Sequence, residues 1–153
     1  MPLQSHMTNE EEKIQICDWK YQGEYACYNL ESYETYKKQG IFFANPKNQQ
    51  CYTSYYDEAL LVGFTNILEE EHEVFIGIGV NPHVCNKGYG TQILKMAYEI
   101  SKQLYPTKPL YLEVRTWNER AIHCYEKVGF VKEKEIKQET PMEEGIFWRM
   151  TKP

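Results

Sequence analysis

Residues 74–94 read VFIGIGVNPHVCNKGYGTQIL and pass from an apolar stretch, through a proline-containing turn and a glycine-rich loop, into a helical pattern. We predict a strand in which Gly77 and Gly79 mark a bulge and leave some backbone N–H groups unpaired. The helix is expected to start near Gly90, with its positive dipole end facing the loop. A phosphate or pyrophosphate would fit there, although an ordinary strand, turn and helix without a ligand would give the same pattern.

Two common phosphate-binding loops do not match this segment. A mononucleotide loop ends in Gly-Lys-Ser/Thr, whereas Gly90 is followed by Thr91 and Gln92. A dinucleotide-binding fingerprint needs a further glycine three residues after Gly90, and Ile93 stands at that position. Both classes of nucleotide loop are therefore excluded here.

Length, composition and charge predict one globular domain. The chain has 153 residues, of which 42% are hydrophobic, and no apolar run approaches the ~20 residues that a membrane span requires. The formal net charge is -5, and only three of the 17 basic residues are arginine, so a nucleic-acid partner is not expected. Such a charge mildly favours cationic small molecules.

The cysteines and the first residues of the chain bear on the cellular location and on where the domain begins. Five cysteines without metal-ligand or redox-pair spacing, and no signal-peptide segment, predict reduced thiols and a cytoplasmic location. Residues 1–6, which precede Met7, are interpreted as an expression-tag remnant outside the fold, and residues 7–153 as a single domain.

The pattern of the whole chain predicts an α/β (α+β) fold with a mixed, mostly antiparallel sheet of six to seven strands and about four helices. A strand, a crossover helix and a second strand normally lie parallel, which applies to the strands on either side of the long helix. Residues 21–40, rich in tyrosine, are expected to form helices over the sheet and an acceptor-binding lid. The predicted strands are residues 13–19, 50–56, 59–68, 74–80, 110–115, 130–136 and 145–150.

A second motif follows the strand at residues 110–115. Asn118 is expected to cap a short helix that ends at Gly129, and Glu113 lies on the preceding strand. Together with the loop, this motif resembles the GNAT acetyltransferase superfamily, nearest to the branch that acetylates ribosomal-protein alanines. The resemblance covers about residues 74–130 and implies a splayed pair of central strands. The family loop usually begins with Gln or Arg, and here Cys85 stands at that position.

The resemblance implies acetyl-CoA as cosubstrate and assigns roles to individual residues. Tyr125 corresponds to the tyrosine that donates a proton to the leaving sulfur, and Glu113 to a general base. For Glu113, simple exposure or an ion pair with a lysine is an equal alternative. The residues expected to bind the cofactor are Ile78, Gly79, Val80, Cys85, Asn86, Lys87, Gly88, Tyr89, Gly90, Thr91 and Asn118.

The function implied is acetyl transfer from acetyl-CoA to a primary amine, without a metal, because His72 and His83 have no evident further ligands. A CoA-binding sensor or partner module without catalysis is the alternative, and a binder of another phosphate compound is a third. Residues 137–145 and 21–36 are expected to line the acceptor side. The acceptor is left open among polyamines, amino sugars, aminoglycosides and protein N-termini, and a homodimer through the last strands is plausible.

Overall fold

The computed structural model describes residues 2–139 and 144–153. The strands in these residues are β1 (Gln4–Met7), β2 (Tyr52–Asp57), β3 (Leu60–Glu69), β4 (Val74–Val80), β5 (Leu110–Arg115), β6 (Val131–Glu139) and β7 (Glu144–Lys152). They form one mixed sheet in the order β1-β2-β3-β4-β5-β7-β6. Strands β4 and β5 are parallel. The pairs β1/β2, β2/β3, β5/β7 and β6/β7 are antiparallel. The predicted mixed, mostly antiparallel sheet is confirmed.

Four α-helices and four short 3-10 turns accompany these strands in the described part of the chain. The helices are α1 (Glu10–Cys17), α2 (Tyr33–Gln39), α3 (Tyr89–Leu104) and α4 (Glu119–Val128). The 3-10 turns are Gly23–Tyr28, Phe42–Ala44, Pro46–Cys51 and Pro82–Val84. Within the described residues, no helix is both long enough and apolar enough to cross a membrane.

The chain forms two compact units. The first contains the residues up to Asn66 together with Gly79–Tyr89, and the second contains Ile67–Ile78 and Gly90–Pro153. The core of the first unit is largely aromatic: the Phe43 ring lies 4.6 Å from that of Tyr52 and 5.5 Å from that of Phe64. Large rings in tilted contact bury much area per residue, so a few of them hold this unit together.

The core of the second unit is aliphatic and lies on one face of β4 and β5. Helix α3 buries Ile93, Leu94 and Ala97 at the predicted helical spacing. The other members of this core come from β3, β4, β5, α4, β7 and the α4–β6 connection: Ile67, Val74, Ile76, Leu110, Leu112, Val114, Ile122, Met150 and Phe130.

The predicted strand at residues 13–19 is wrong, because helix α1 occupies most of this segment. Asn9 and Glu12 form a capping box: the Glu12 backbone N–H donates to Asn9 Oδ1, and the Asn9 backbone N–H donates to Glu12 Oε1, each at 2.9 Å. Ile16 and Cys17 are buried, while Ile14 is 50% exposed. The buried face of this helix consists of Glu12, Lys13, Ile16 and Cys17, so the alternation of Ile14 and Ile16 does not correspond to one buried face.

Residues 3–6 contact the rest of the described structure, whereas the sequence interpretation places residues 1–6 outside the fold. Residues Gln4–Met7 form strand β1, which pairs with β2 in the register Gln4↔Tyr56 to Met7↔Thr53. Leu3 is also buried. Backbone hydrogen bonds to β2 hold this short segment in the sheet, although its side chains alone do not predict a strand.

Other predicted elements are confirmed with shifted ends. Strand β5 has the predicted bounds, and Gly129 ends α4 with φ of +106°. Strand β2 starts at Tyr52 because Pro46–Cys51 forms a 3-10 turn. In residues 21–40 the helices are the 3-10 turn and α2, which Ser32 caps. Of the loop predicted between the last strands, residues 140–143 lie outside the described part of the chain.

Candidate active site

Asn81 anchors the chain where β4 ends. Its side chain is buried, its Nδ2 donates to the carbonyl oxygen of Leu61 at 3.0 Å, and its Oδ1 accepts from the His83 backbone N–H at 2.9 Å. The Asn81 backbone N–H donates to the Val62 carbonyl oxygen at 2.8 Å. These bonds fix the direction in which the chain leaves β4, and Pro82 then begins a 3-10 turn.

The loop that follows has a backbone suited to anion binding. Asn86 and Gly88 adopt left-handed conformations, with φ of +67° and +83°, in an exposed stretch that leads into α3. Alternation of left-handed and ordinary residues can turn successive N–H groups toward one side, as in known anion-binding loops. The Cys85 thiol donates to the Asn81 carbonyl oxygen at 3.5 Å, so this side chain contacts the loop's own backbone.

Tyr89 joins the start of α3 to the turn after β2. Its hydroxyl donates to Asp57 Oδ2 at 2.6 Å, and this bond raises the pKa of Tyr89. The predicted helix start near Gly90 is confirmed to within one residue. This hydrogen bond therefore ties the end of the loop to Asp57, the last residue of β2, in the same compact unit.

Gly79 is required by its contact with Phe64. A Cβ atom at Gly79 would collide with Phe64 Cε1 and would lie 3.0 Å from Cζ. The neighbouring Val80 carbonyl oxygen accepts a hydrogen bond from the Tyr21 hydroxyl at 2.6 Å. The end of β4 is therefore held by the Phe64 ring, which contacts Gly79, and by the Tyr21 hydroxyl, which donates to Val80.

Strands β4 and β5 separate soon after they begin. Their parallel register in the described residues consists of Val74↔Leu110 and Phe75↔Tyr111, although the strands have seven and six residues. Strand β5 pairs with β7 over six positions on its other side. The predicted splay of the central strand pair is confirmed, and it leaves edge backbone groups of β4 and β5 without pairing to each other.

Glu113 lies on the face of β5 opposite to Leu112 and Val114, as strand alternation requires. It is half-buried, and its Oε2 accepts a hydrogen bond from Gln138 Nε2 at 2.8 Å. Among the described contacts, Glu113 therefore accepts a hydrogen bond from a neutral amide, while its role as base or as a structural carboxylate stays a prediction. Sequence reasoning did not find Gln138, because no local pattern connects it with β5.

A tyrosine, an arginine and three glutamates surround Glu113 on this face. Burial, followed by the hydrogen bonds to Glu70, raises the pKa of Tyr111 above its usual range, and the charge of Glu113 adds to the effect. Arg149 pairs with Glu73 and donates through Nε to Glu133 Oε2 at 2.5 Å, and its guanidinium lies 4.1 Å from the centre of the Tyr111 ring. The carboxylates here already have protein partners.

Helix α4 carries the remaining predicted side chains. Asn118 is buried, and its Oδ1 accepts from the Ala121 backbone N–H at 3.2 Å, so the predicted N-cap is confirmed. Tyr125 is half-buried and packs against the core that contains Leu112. Glu113 and Tyr125 are therefore associated with opposite faces of β5.

Thr91 and Cys124 connect the first turn of α3 with α4. Thr91 Oγ1 and Cys124 Sγ are 3.3 Å apart, and burial raises the pKa of the Cys124 thiol. His123 is largely exposed, with Nε2 3.9 Å from Glu119 Oε2. In the part of the chain that the structure describes, no group of three or more His, Cys, Asp or Glu side chains is arranged to hold a metal ion.

Comparison with known proteins identifies the family. The model of the Acetyltransferase (GNAT) family matches residues 13–130. An N-alpha-acetyltransferase from Sulfurisphaera tokodaii is 37% identical over 62 residues, which are 40% of this chain. The match spans only about a third (35%) of the length of that curated relative.

Solved structures share the fold at low sequence identity. A GNAT-family acetyltransferase from Bacillus anthracis has a TM-score of 0.79 at 17% identity, covering 99% of this chain and 95% of its own. A spermidine/spermine N-acetyltransferase from Vibrio cholerae, solved with manganese ions, has a TM-score of 0.75 at 19% identity, covering 99% and 92%. The ribosomal-protein-S18-alanine N-acetyltransferase from Escherichia coli has 0.70 at 16%, covering 99% and 93%.

The family match begins within α1 and ends just after α4, so it includes both the glycine-rich loop and the helix capped by Asn118. The splay of β4 and β5 and the seven-stranded sheet agree with the same fold. This chain belongs to the acetyltransferase (GNAT) family.

Proposed function

We propose that this chain transfers the acetyl group of acetyl-CoA to a primary amine by direct attack in a ternary complex. The observation that carries the proposal is the two-pair register of β4 and β5. Beyond Phe75 and Tyr111, the facing edges of these strands can pair with an extended ligand instead of with each other. Membership of the GNAT family supports acetyl-CoA as that ligand.

The proposed cofactor contacts are mostly backbone groups. The pantetheine arm would pair with the end of β4, and the pyrophosphate would meet the N–H groups of the loop around Asn86 and Gly88, whose left-handed conformations suit an anion. Asn118 would contribute its amide N–H, because its Oδ1 is used by the helix. The full proposed set is Ile78, Gly79, Val80, Cys85, Asn86, Lys87, Gly88, Tyr89, Gly90, Thr91 and Asn118.

Two side chains are proposed to move protons. Acetyl-CoA supplies the activated thioester, in which the carbon–sulfur bond breaks as the amine nitrogen bonds to the carbonyl carbon. A primary ammonium group has a pKa of ~10.4, so a base must first accept its proton. We assign this step to the Glu113 carboxylate and protonation of the leaving sulfur to the Tyr125 hydroxyl. One proton is released overall, and backbone N–H groups near Val80 would stabilise charge on the carbonyl oxygen.

The amine acceptor is proposed by class only. The net charge of -5 favours a cationic amine, and the relatives' names include spermidine/spermine and N-terminal acetyltransferases. A screen should therefore contain polyamines, amino sugars, aminoglycosides and peptides with free N-termini. The lid that we propose at residues 21–36 would contact whichever acceptor is used.

The deciding experiment is isothermal titration with acetyl-CoA, with ATP and NAD as controls, followed by measurement of amine-dependent thiol release. Selective binding of acetyl-CoA and thiol release with one amine class are expected. Absence of acetyl-CoA binding would contradict the proposal. Binding without turnover on any amine would instead favour a CoA-binding sensor or partner module.

A further inference from the structure

Gln138 on β6 contacts the proposed base directly, since its Nε2 donates to Glu113 Oε2 at 2.8 Å. We propose that Gln138 is a positioning residue for Glu113: the Gln138 amide holds the Glu113 carboxylate in a fixed orientation for proton transfer. This inference rests on the proposed function, because it assumes that Glu113 is the base.

The two arginines on this face contact other groups, and the described donor to Glu113 is the neutral amide of Gln138. Arg149, which faces Glu113 across the β5/β7 register, pairs with Glu73 and Glu133. The Arg115 guanidinium lies 4.9 Å from the centre of the Phe147 ring. The titratable and charged groups on β5, β6, β7 and the β3–β4 hairpin that share this face are Tyr111, Arg115, Glu133, Lys134, Arg149, Glu70 and Glu73.

A neutral donor suits a general base better than a cation does. The carboxylate must be ionised at the working pH and must still be basic enough to accept a proton from the amine. An arginine or lysine bonded to it would stabilise the charged form strongly and weaken the base. An amide N–H stabilises the charged form less, while its direction still fixes the carboxylate.

The contact between Gln138 and Glu113 joins strands that are not neighbours in the sheet. Strand β7 lies between β6 and β5, so the Gln138 side chain reaches Glu113 by crossing β7. The β7 residue that faces Gln138 is the buried Gly145. A Cβ atom there would lie 2.6 Å from Arg115 Nη1 and 2.9 Å from Phe147 Cε1, so the glycine leaves space that the Arg115 guanidinium and the Phe147 ring occupy.

Two substitutions with opposite electrostatic effects test the inference. Gln138→Leu removes the donor, and Gln138→Lys replaces it with a cation; Gln103→Leu, at an exposed position on α3, is the matched control. The carboxyl titration of Glu113 is followed by ¹³C NMR of labelled glutamate, with its signal assigned through Glu113→Gln. The pH profile of kcat/KM is measured on the same proteins with one amine.

We expect Gln138→Leu to move both the NMR titration and the acidic limb of kcat/KM to higher pH, and Gln138→Lys to move both to lower pH. A loss of folding alone would not give opposite signs. An unchanged NMR titration in both variants would overturn the contact itself, whatever the reaction. A shifted titration with an unmoved kinetic limb would show that Glu113 is not the base, and would overturn the positioning role while leaving acetyl transfer intact.

Discussion

Tyr125 has its ring packed against the core of the second unit, so its hydroxyl is held by the position of the ring. Replacing Tyr125 with Phe keeps this packing and removes only the proposed acid. We expect Tyr125→Phe to lower kcat by about 100-fold or more and to leave the Kd for acetyl-CoA nearly unchanged. Stopped assays of thiol release and titration with acetyl-CoA measure the two quantities.

Tyr98→Phe is the matched control for this substitution, because the Tyr98 hydroxyl on α3 donates only an exposed hydrogen bond, to the Pro153 carbonyl oxygen at 2.7 Å. Its kcat should equal that of the unaltered protein. An unchanged rate for Tyr125→Phe with every accepted amine would remove Tyr125 from the mechanism.

The contact between Gly79 and Phe64 makes a second prediction at the level of single residues. Gly79→Ala places a methyl group against the ring and should lower the free energy of unfolding by about 1 to 3 kcal/mol. In the Phe64→Leu background the same change should be less destabilising, because the smaller side chain leaves space. Urea unfolding of both single variants and the double variant measures this difference. Equal destabilisation in both backgrounds would contradict the steric explanation.

Site residues could be predicted from the sequence where their role is local. The cap at Asn118 and the helix end at Gly129 follow from residue type and spacing, and both are confirmed. Gly88 in the predicted glycine-rich loop adopts a left-handed conformation. The Gln138 contact with Glu113 joins positions 25 residues apart and the Tyr21 contact with Val80 joins positions 59 apart, and neither has a local signal.

Helix α1 shows why a single element can be mispredicted. Alternation of apolar residues favours a strand, but the capping box at Asn9 and Glu12 stabilises a helix start, and acidic residues fill the first turn. The buried Glu12 then receives hydrogen bonds from Tyr56 at 2.5 Å and Ser54 at 3.0 Å on β2. The capping box is a local signal that outweighs the alternation, and the contacts of Glu12 with β2 add a tertiary contribution that the sequence does not show.

The same contacts make the docking of α1 dependent on pH. Burial alone raises the pKa of Glu12, but hydrogen bonds from Tyr56, the Asn9 backbone, His6 and Ser54 outweigh it and leave the pKa below its usual 4.5. Because the folded-state pKa is lowered, the resulting stability is fully present above about pH 4.5 and is lost as pH falls through the folded-state value.

We therefore expect Glu12→Gln to be less stable than the unaltered protein by about 2 kcal/mol near pH 7, with the difference narrowing below about pH 4.5. Glu11→Gln, at the exposed neighbouring position, is the control and should change stability little. Urea unfolding at several pH values measures both variants. A difference for Glu12→Gln that stays constant down to pH 3 would show that the ionised carboxylate is not the cause.

At the scale of the whole molecule, the strand order follows from rules about connections more than from individual residues. Successive strands joined by short turns pair as neighbours, as β2 and β3 do, and the crossover through α3 makes β4 and β5 parallel. The final order β5-β7-β6 places the last strand between two earlier ones. Strand β1 could not be predicted, because its four exposed residues carry no apolar pattern and only backbone pairing fixes them.

The net charge of -5 gives a prediction about acceptors that concerns the whole molecule. If the acceptor is a polyamine, its KM should rise a few-fold between about 0.01 M salt, where the Debye length is ~30 Å, and about 0.15 M, where it is ~8 Å. The KM for acetyl-CoA, an anion, should stay constant or fall over the same range, because screening then reduces repulsion. This opposite response is the internal control. Steady-state kinetics, with one substrate varied while the other is saturating, measures both KM values. A KM for the polyamine that does not depend on salt would show that the net charge does not attract the acceptor, and peptides with uncharged side chains would then be the first acceptors to test.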